Sequence, residues 1–210
     1  MDLFRTPTIA IIGTAGRRED GARLKADSFD RMYDAAVATI AEWEIKAAVS
    51  GGAAWADHVA VRAYLDGAVS QLHLHFPAPF TDGRFIGDQF GGVANFYHNK
   101  FTTVRGVDSY VELEAAIAKG ATFTVGRGFK PRNLAIGRDA THMLALTFGA
   151  GKSAILDSLP NDTGYCDAIA GGLKDGGTAH CWGAARGPGV KRHIDLGLLL
   201  APVAGSSFRP

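Results

Sequence analysis

Short apolar runs that stop at glycine alternate along this chain with longer stretches of helical period. Thr8-Ile-Ala-Ile-Ile12 has no polar alternation and ends at Gly13-Thr-Ala-Gly16. A strand covered on both faces, as in a parallel sheet, reads this way. From Ala26 to Ile45 the positions Phe29, Met32, Tyr33, Ala36, Val37 and Ile40 recur at helical spacing. Lys46-Ala-Ala-Val49 predicts a second strand, stopped by Ser50-Gly51-Gly52, and Ala53 to Leu65 a second helix capped by Gly67. Gln71 to Phe76 predicts a third strand that Pro77 and Pro79 end.

Residues 80–107 show no clear period. They carry Gly83, Gly87, Gly91 and Gly92 and the aromatics Phe85, Phe90, Phe96, Tyr97 and Phe101, which predicts an insertion or lid. Asp108 to Lys119 reads as a helix with an aspartate cap and a Gly120 stop. Ala121 to Val125 is a strand or an extended approach to the next helix. Lys130 to Arg138 is helical with Pro131 in its first turn, and Thr141 to Phe148 is the strongest strand of the second half. A short helix over Thr163–Leu173, a last strand over Thr178–Trp182 and an irregular tail over 183–210 complete the pattern. Strands alternating with helices predict one α/β domain over residues 1–210. It is Rossmann-like, with a mostly parallel sheet and helices on both faces. Ligands of such sheets sit outside the carboxyl ends of the strands, where the glycine turns of this chain fall.

Composition narrows the function classes. Of 210 residues, 22 are Lys or Arg and 21 Asp or Glu, so no global basic excess advertises nucleic acid. Two cysteines, Cys166 and Cys181, are too few for a disulfide framework and fit a reducing cytoplasm. Met1 to Pro7 has no apolar signal core, and no apolar run is long enough to span a membrane. The expectation is a cytoplasmic protein.

Four constellations carry chemistry. Gly13, Thr14 and Gly16 after the first strand allow backbone to approach a phosphate, and Arg17 and Arg18 add cationic contacts. Ser50, Gly51 and Gly52 repeat that arrangement after the second strand. Asp57 follows, as a helix-dipole carboxylate or an acceptor for ribose hydroxyls. Arg132 and Asn133 stand near a helix start, suited to clamping an anion and reading a polar edge. Gly149 and Gly151 follow the strong late strand. With Lys152 and Ser153 they approach a P-loop, but that motif requires glycine where Leu146 stands, so the NTPase reading is rejected. No C-x-x-C, H-E-x-x-H or G-x-S-x-G spacing occurs, so neither a metal, a cofactor nor a hydrolase triad is implied.

Taken in order, Ile12–Arg17, Val49–Ala60, Pro131–Ile136 and Leu144–Gly151 resemble the SLOG superfamily of Rossmann-like domains. That group includes the DNA-processing protein A family, the LOG phosphoribohydrolases and YspA-like proteins. The resemblance implies ligand chemistry on nucleotides, nucleotide sugars or DNA phosphates. LOG enzymes carry a Pro-Gly-Gly-x-Gly-Thr-x-x-Glu loop that holds the phosphosugar and supplies a glutamate. Here Phe148-Gly-Ala-Gly151 takes its place, with Thr163, Gly164 and Asp167 standing for part of it.

The expected function is therefore binding of a nucleotide or nucleotide-derived ligand, with cleavage or transfer of its N-glycosidic bond as the candidate reaction. Asp167, and after it Asp57, is the candidate catalytic carboxylate. The alternative is a single-stranded nucleic-acid binder using Arg17, Arg18, Lys130, Arg132 and Arg138 on phosphates, which salt would weaken steeply. Association into a homo-oligomer stays open, and no membrane partner is expected.

Overall fold

The order of strands across the central sheet decides where a ligand can bind. The computed structural model describes residues 6–87, 89–148, 177–185 and 190–202. In chain order its strands are β1 (Thr8–Gly13), β2 (Ala47–Ser50), β3 (Gln71–Phe76), β4 (Phe80–Thr81), β5 (Arg84–Phe85), β6 (Thr122–Val125), β7 (His142–Thr147) and β8 (Lys191–Asp195). Six of them form a parallel sheet ordered β6-β3-β2-β1-β7-β8, and β4 with β5 makes a small antiparallel hairpin. From β1 the chain moves outward through β2, β3 and β6, then returns to place β7 on the other side of β1. That reversal makes a topological switch point between β1 and β7.

The helices are α1 (Glu19–Arg23), α2 (Ser28–Glu42), α3 (His58–Leu65), α4 (Gln89–Arg105), α5 (Ser109–Ala118), α6 (Phe129–Asp139), α7 (Gly177–Ala184) and α8 (Leu196–Leu199), with a 3₁₀ turn at Trp55–Asp57 before α3. Alternate residues of β1 serve two cores, because successive side chains of a strand point to opposite faces. Ile9 and Ile11 join Phe29, Met32 and Ile40 of α2 and Val59 of α3. Ala10 and Ile12 join Met143, Ile136 of α6 and Trp182 of α7. The chain is thus α/β and Rossmann-like, with helices on both faces. No helix among the described residues is long and apolar enough to cross a membrane.

Three local expectations are corrected. Residues 80–107 are not irregular: they form the β4–β5 hairpin and the 17-residue helix α4. The helical period was hidden because α4 buries Gly91, His98 and Phe101 while exposing Val93, Phe96 and Val104. Thr178–Trp182 lies in helix α7, not in a strand. A short apolar run does not distinguish the two by period. Here Gly137 lets α7 approach α6 so closely that a β-carbon would meet the Cys181 carbonyl at 2.7 Å. The last strand is β8 instead, inside the expected irregular tail. Its sequence Lys-Arg-His-Ile-Asp does not look like a buried strand because it lies at the sheet edge. The expected Thr163–Leu173 helix lies outside the described residues.

Candidate functional site

A cavity of about 490 Å³ opens at the carboxyl ends of β1, β2 and β7, over the switch point. Its walls are the turns after β1 and β2, the first turn of α6, and residues of α4 and α7.

The turn after β1 is drawn tight by close approach. A side chain at Gly13 would collide with the Leu146 carbonyl of β7, so only glycine fits. Thr14 N–H donates to that same carbonyl at 3.0 Å. The Thr14 hydroxyl donates to Asp20 Oδ2 at 2.8 Å and accepts the Gly16 N–H at 3.1 Å. Arg17 and Arg18 line the cavity from its rim, both exposed. Arg18 has φ 50° and ψ −132°, a conformation that side chains rarely adopt.

The turn after β2 is built differently. The Ser50 hydroxyl donates to the Asp57 carbonyl at 2.8 Å and accepts the Gly52 N–H at 3.2 Å. The Arg132 guanidinium lies so close over Gly51 that a β-carbon there would strike it. Arg132 Nη2 donates to Asp57 Oδ2 at 2.7 Å, and both side chains are buried. Burial pushes the Asp57 carboxyl above its ordinary range. Arg132 and the N–H groups of Ala53, Gly13 and Gly51 oppose that shift. Asp57 therefore ties both glycine turns to α6.

His98 of α4 completes the clamp from above. Burial drives its pKa down to about 3, so the ring is neutral. Nε2–H then donates to the Gly52 carbonyl at 3.0 Å, and Nδ1 accepts from the Ser109 hydroxyl at 3.0 Å. Ser109 Oγ is in turn 3.1 Å from the Thr102 hydroxyl. Below, His58 reaches Glu112 at 2.8 Å and Arg105 reaches the same oxygen at 2.6 Å. Burial would raise the Glu112 pKa, but His58 and Arg105 outweigh it and hold the carboxyl at about 2.

Of the residues named from sequence, Gly13, Thr14, Arg17, Gly51, Gly52, Asp57, Arg132 and Asn133 meet in this one cavity. Gly16 and Ser50 support it from behind through the bonds above. Gly149, Gly151, Thr163, Gly164 and Asp167 lie outside the described residues. Sequence reasoning missed Asp20, Phe85, Tyr97, His98 and Cys181, all of which line the cavity. Asp20 sits in the five-residue helix α1, too short for a period to reveal, though Thr14 six residues earlier is its partner. Cys181 is buried, and that burial pushes its thiol to about 12, so it is a neutral wall group.

Two buried polar groups face the site without internal partners. They are Arg132 Nε and His180 Nδ1, neither of them bonded among the described residues, and Asn133, only 4% exposed, lines the cavity beside Arg132. Buried polar groups are normally satisfied, so such orphans at a cavity mark where a ligand or water bonds. The lining also has an apolar part, with Phe85, Val93, Tyr97 and Phe129. The arrangement can take a ligand with one apolar planar end and one anionic or polar end. No group of three or more metal-binding side chains gathers among the described residues.

The chain is 32% identical over 148 residues to uncharacterized protein R261 of Acanthamoeba polyphaga mimivirus, a match covering 67% of this chain and 81% of that protein. No family model and no solved structure matches it.

Proposed function

We propose that this chain, which belongs to one family with the mimivirus protein R261, binds a nucleotide or nucleotide-derived ligand at the carboxyl ends of its parallel strands. The observation that carries this reading is the pair of partnerless buried nitrogens at the cavity, Arg132 Nε and His180 Nδ1, set beside Asn133 and two glycine turns at a switch point. The cavity volume falls within the roughly 300–1,000 Å³ of small-molecule sites. The backbone of the β1 turn accepts close approach of a phosphate, Arg17 and Arg18 supply charge at the rim, and Phe85, Tyr97 and Phe129 give a surface for a ring. Membership of the SLOG superfamily is part of the same proposal and agrees with that ligand class.

Cleavage of an N-glycosidic bond is the proposed reaction if the protein is an enzyme. Two carboxylates of the described residues, Asp20 and Asp57, line the cavity. Asp57 is engaged by Arg132 and three backbone N–H groups, which suits holding the site more than proton transfer. Asp20 accepts from the Thr14 hydroxyl at the root of the β1 turn.

Mass spectrometry of small molecules released on denaturation, followed by titration calorimetry against nucleoside phosphates and NAD-type compounds, tests the reading. Binding of one class, weakened in Asn133→Leu, supports it; no heat from any member removes it. Release of free base from the bound compound assigns cleavage, and an intact compound limits the function to binding.

A further inference from the structure

The cavity over the switch point is charged unevenly from its mouth inward. Among the described residues that line it, the ionic side chains divide by burial. Arg17, Arg18 and Lys130 are exposed at the mouth. Asp20, Asp57 and Arg132 are buried. Inside, two carboxylates stand against one guanidinium, whereas the mouth has three cations and no carboxylate. The inner guanidinium is also already paired, through the 2.7 Å bond from Arg132 Nη2 to Asp57 Oδ2. A phosphate carried inward would leave water for a place of negative formal charge, and a buried charge without a partner is costly. At the mouth the same group meets three cations and keeps part of its hydration.

The inner end calls for neutral polar atoms instead. Arg132 Nε and His180 Nδ1 are buried there without a partner among the described residues, and the Arg132 side chain is only 9% exposed. A guanidinium nitrogen only donates, so the ligand atom set against Nε is an acceptor. Asn133 beside it can donate and accept. Ile12, Ile136 and Cys181, all buried, line the same cavity, and burial keeps the Cys181 thiol neutral by pushing it up to about 12. Apolar surface with a few fixed polar atoms suits the faces and edge of a heterocyclic base. Each common base carries a ring nitrogen or a carbonyl oxygen on its edge as an acceptor.

We infer that the ligand binds base first: its base lies inside against Arg132, Asn133 and His180, and its phosphate stays at the mouth with Arg17, Arg18 and Lys130. This inference rests on the nucleotide reading of the cavity and adds a direction to it. The base then sets specificity through buried hydrogen bonds. The phosphate adds affinity through exposed contacts that salt screens. A nucleoside without phosphate still binds, and a sugar phosphate without a base does not.

Titration calorimetry of the full chain against the common ribonucleosides, their 5′-monophosphates and ribose 5-phosphate, at low and high salt, tests the direction. The expected result is that a nucleoside binds, its monophosphate binds more tightly, and ribose 5-phosphate gives no heat. Salt weakens the monophosphate and leaves the nucleoside unchanged. The double variant Arg17→Gln/Lys130→Gln alters only exposed side chains. It weakens the monophosphate by about tenfold, as the loss of two exposed charge contacts would, and spares the nucleoside. His180→Phe weakens both compounds by the same factor, about fivefold for one lost hydrogen bond. Ribose 5-phosphate that binds as tightly as the best monophosphate overturns the direction while the nucleotide reading stands. So does a monophosphate whose affinity the double variant leaves unchanged, or a folded His180→Phe chain that loses the monophosphate but not the nucleoside. No binding by any of these compounds removes the nucleotide reading and the direction together.

Discussion

The turns after β1 and β2 carry the same glycine signature, yet the fold uses them in opposite ways. The β2 turn is enclosed. The Asp57–Arg132 ion pair, the Ser50 hydroxyl and the His98 ring each hold one of its backbone or neighbouring groups, and every one of these side chains is buried. The β1 turn is held at its root by Thr14 and Asp20, but its tip carries two exposed arginines, one of them in a strained conformation. One turn is a fixed wall and the other presents charge to whatever enters. Glycine spacing reports that backbone comes close to something; the side chains around it decide whether the loop serves the scaffold or the ligand.

The sharpest way to break this contrast is to remove Arg132. Its loss leaves the Asp57 carboxylate buried and unpaired, which costs about 3–5 kcal/mol. Arg132→Met keeps most of the volume, so denaturant unfolding should show nearly that full loss. The double variant Asp57→Asn/Arg132→Met should recover part of it, because the two side chains act as a unit. A single variant that loses less than about 1 kcal/mol would mean that the ion pair does not hold the β2 turn.

A pH titration sharpens the contrast next. The pKa of His98 lies at about 3 in the folded chain, against an ordinary value of 6.5. Below about pH 6.5 the unfolded chain takes up a proton that the folded chain refuses, so stability falls as pH drops from about 6.5 toward 3. From pH 7 to pH 5 the loss is about 2 kcal/mol for this one ring. Burial lowers the His58 pKa as well, which adds in the same direction. His98→Gln can still donate to the Gly52 carbonyl but does not titrate, so its stability should vary less over this range. An unchanged slope in His98→Gln would place the acid sensitivity elsewhere.

Much of this architecture was legible because it rests on local signals. β1, β2, β3 and β7 are apolar runs cut by glycine or proline, and α2 and α5 have clean periods or caps, with Asp108 accepting the Tyr110 N–H as its sequence promised. What escaped depends on partners distant in sequence. His98 and Thr102 sit on the inner face of α4, with Phe96 and Val104 outside, so the polarity of that helix runs against its burial. The β8 strand is legible only once β7 is known to need a neighbour. The two site elements read as separate candidates, Asp57 and Arg132–Asn133, become one object only when α6 is laid over the β2 turn, 75 residues away along the chain.

The smallest expected effect lies on the exposed turn, and it is opposite in sign. Arg18 holds φ 50° and ψ −132° without a β-turn glycine to ease it. Such a conformation costs on the order of 1 kcal/mol or more, and glycine adopts it freely. Arg18→Gly should therefore raise stability by about 1 kcal/mol, where most substitutions lower it. The same change removes a cation from the cavity rim, so affinity for an anionic ligand should fall and should depend less steeply on salt. The strain here falls on an exposed side chain, whereas after β2 it falls on the buried Trp55, at φ 63°. A variant that is no more stable than the wild type and binds anions as tightly would make Arg18 an ordinary surface residue, and the β1 turn would lose its claim to the charged end of the site.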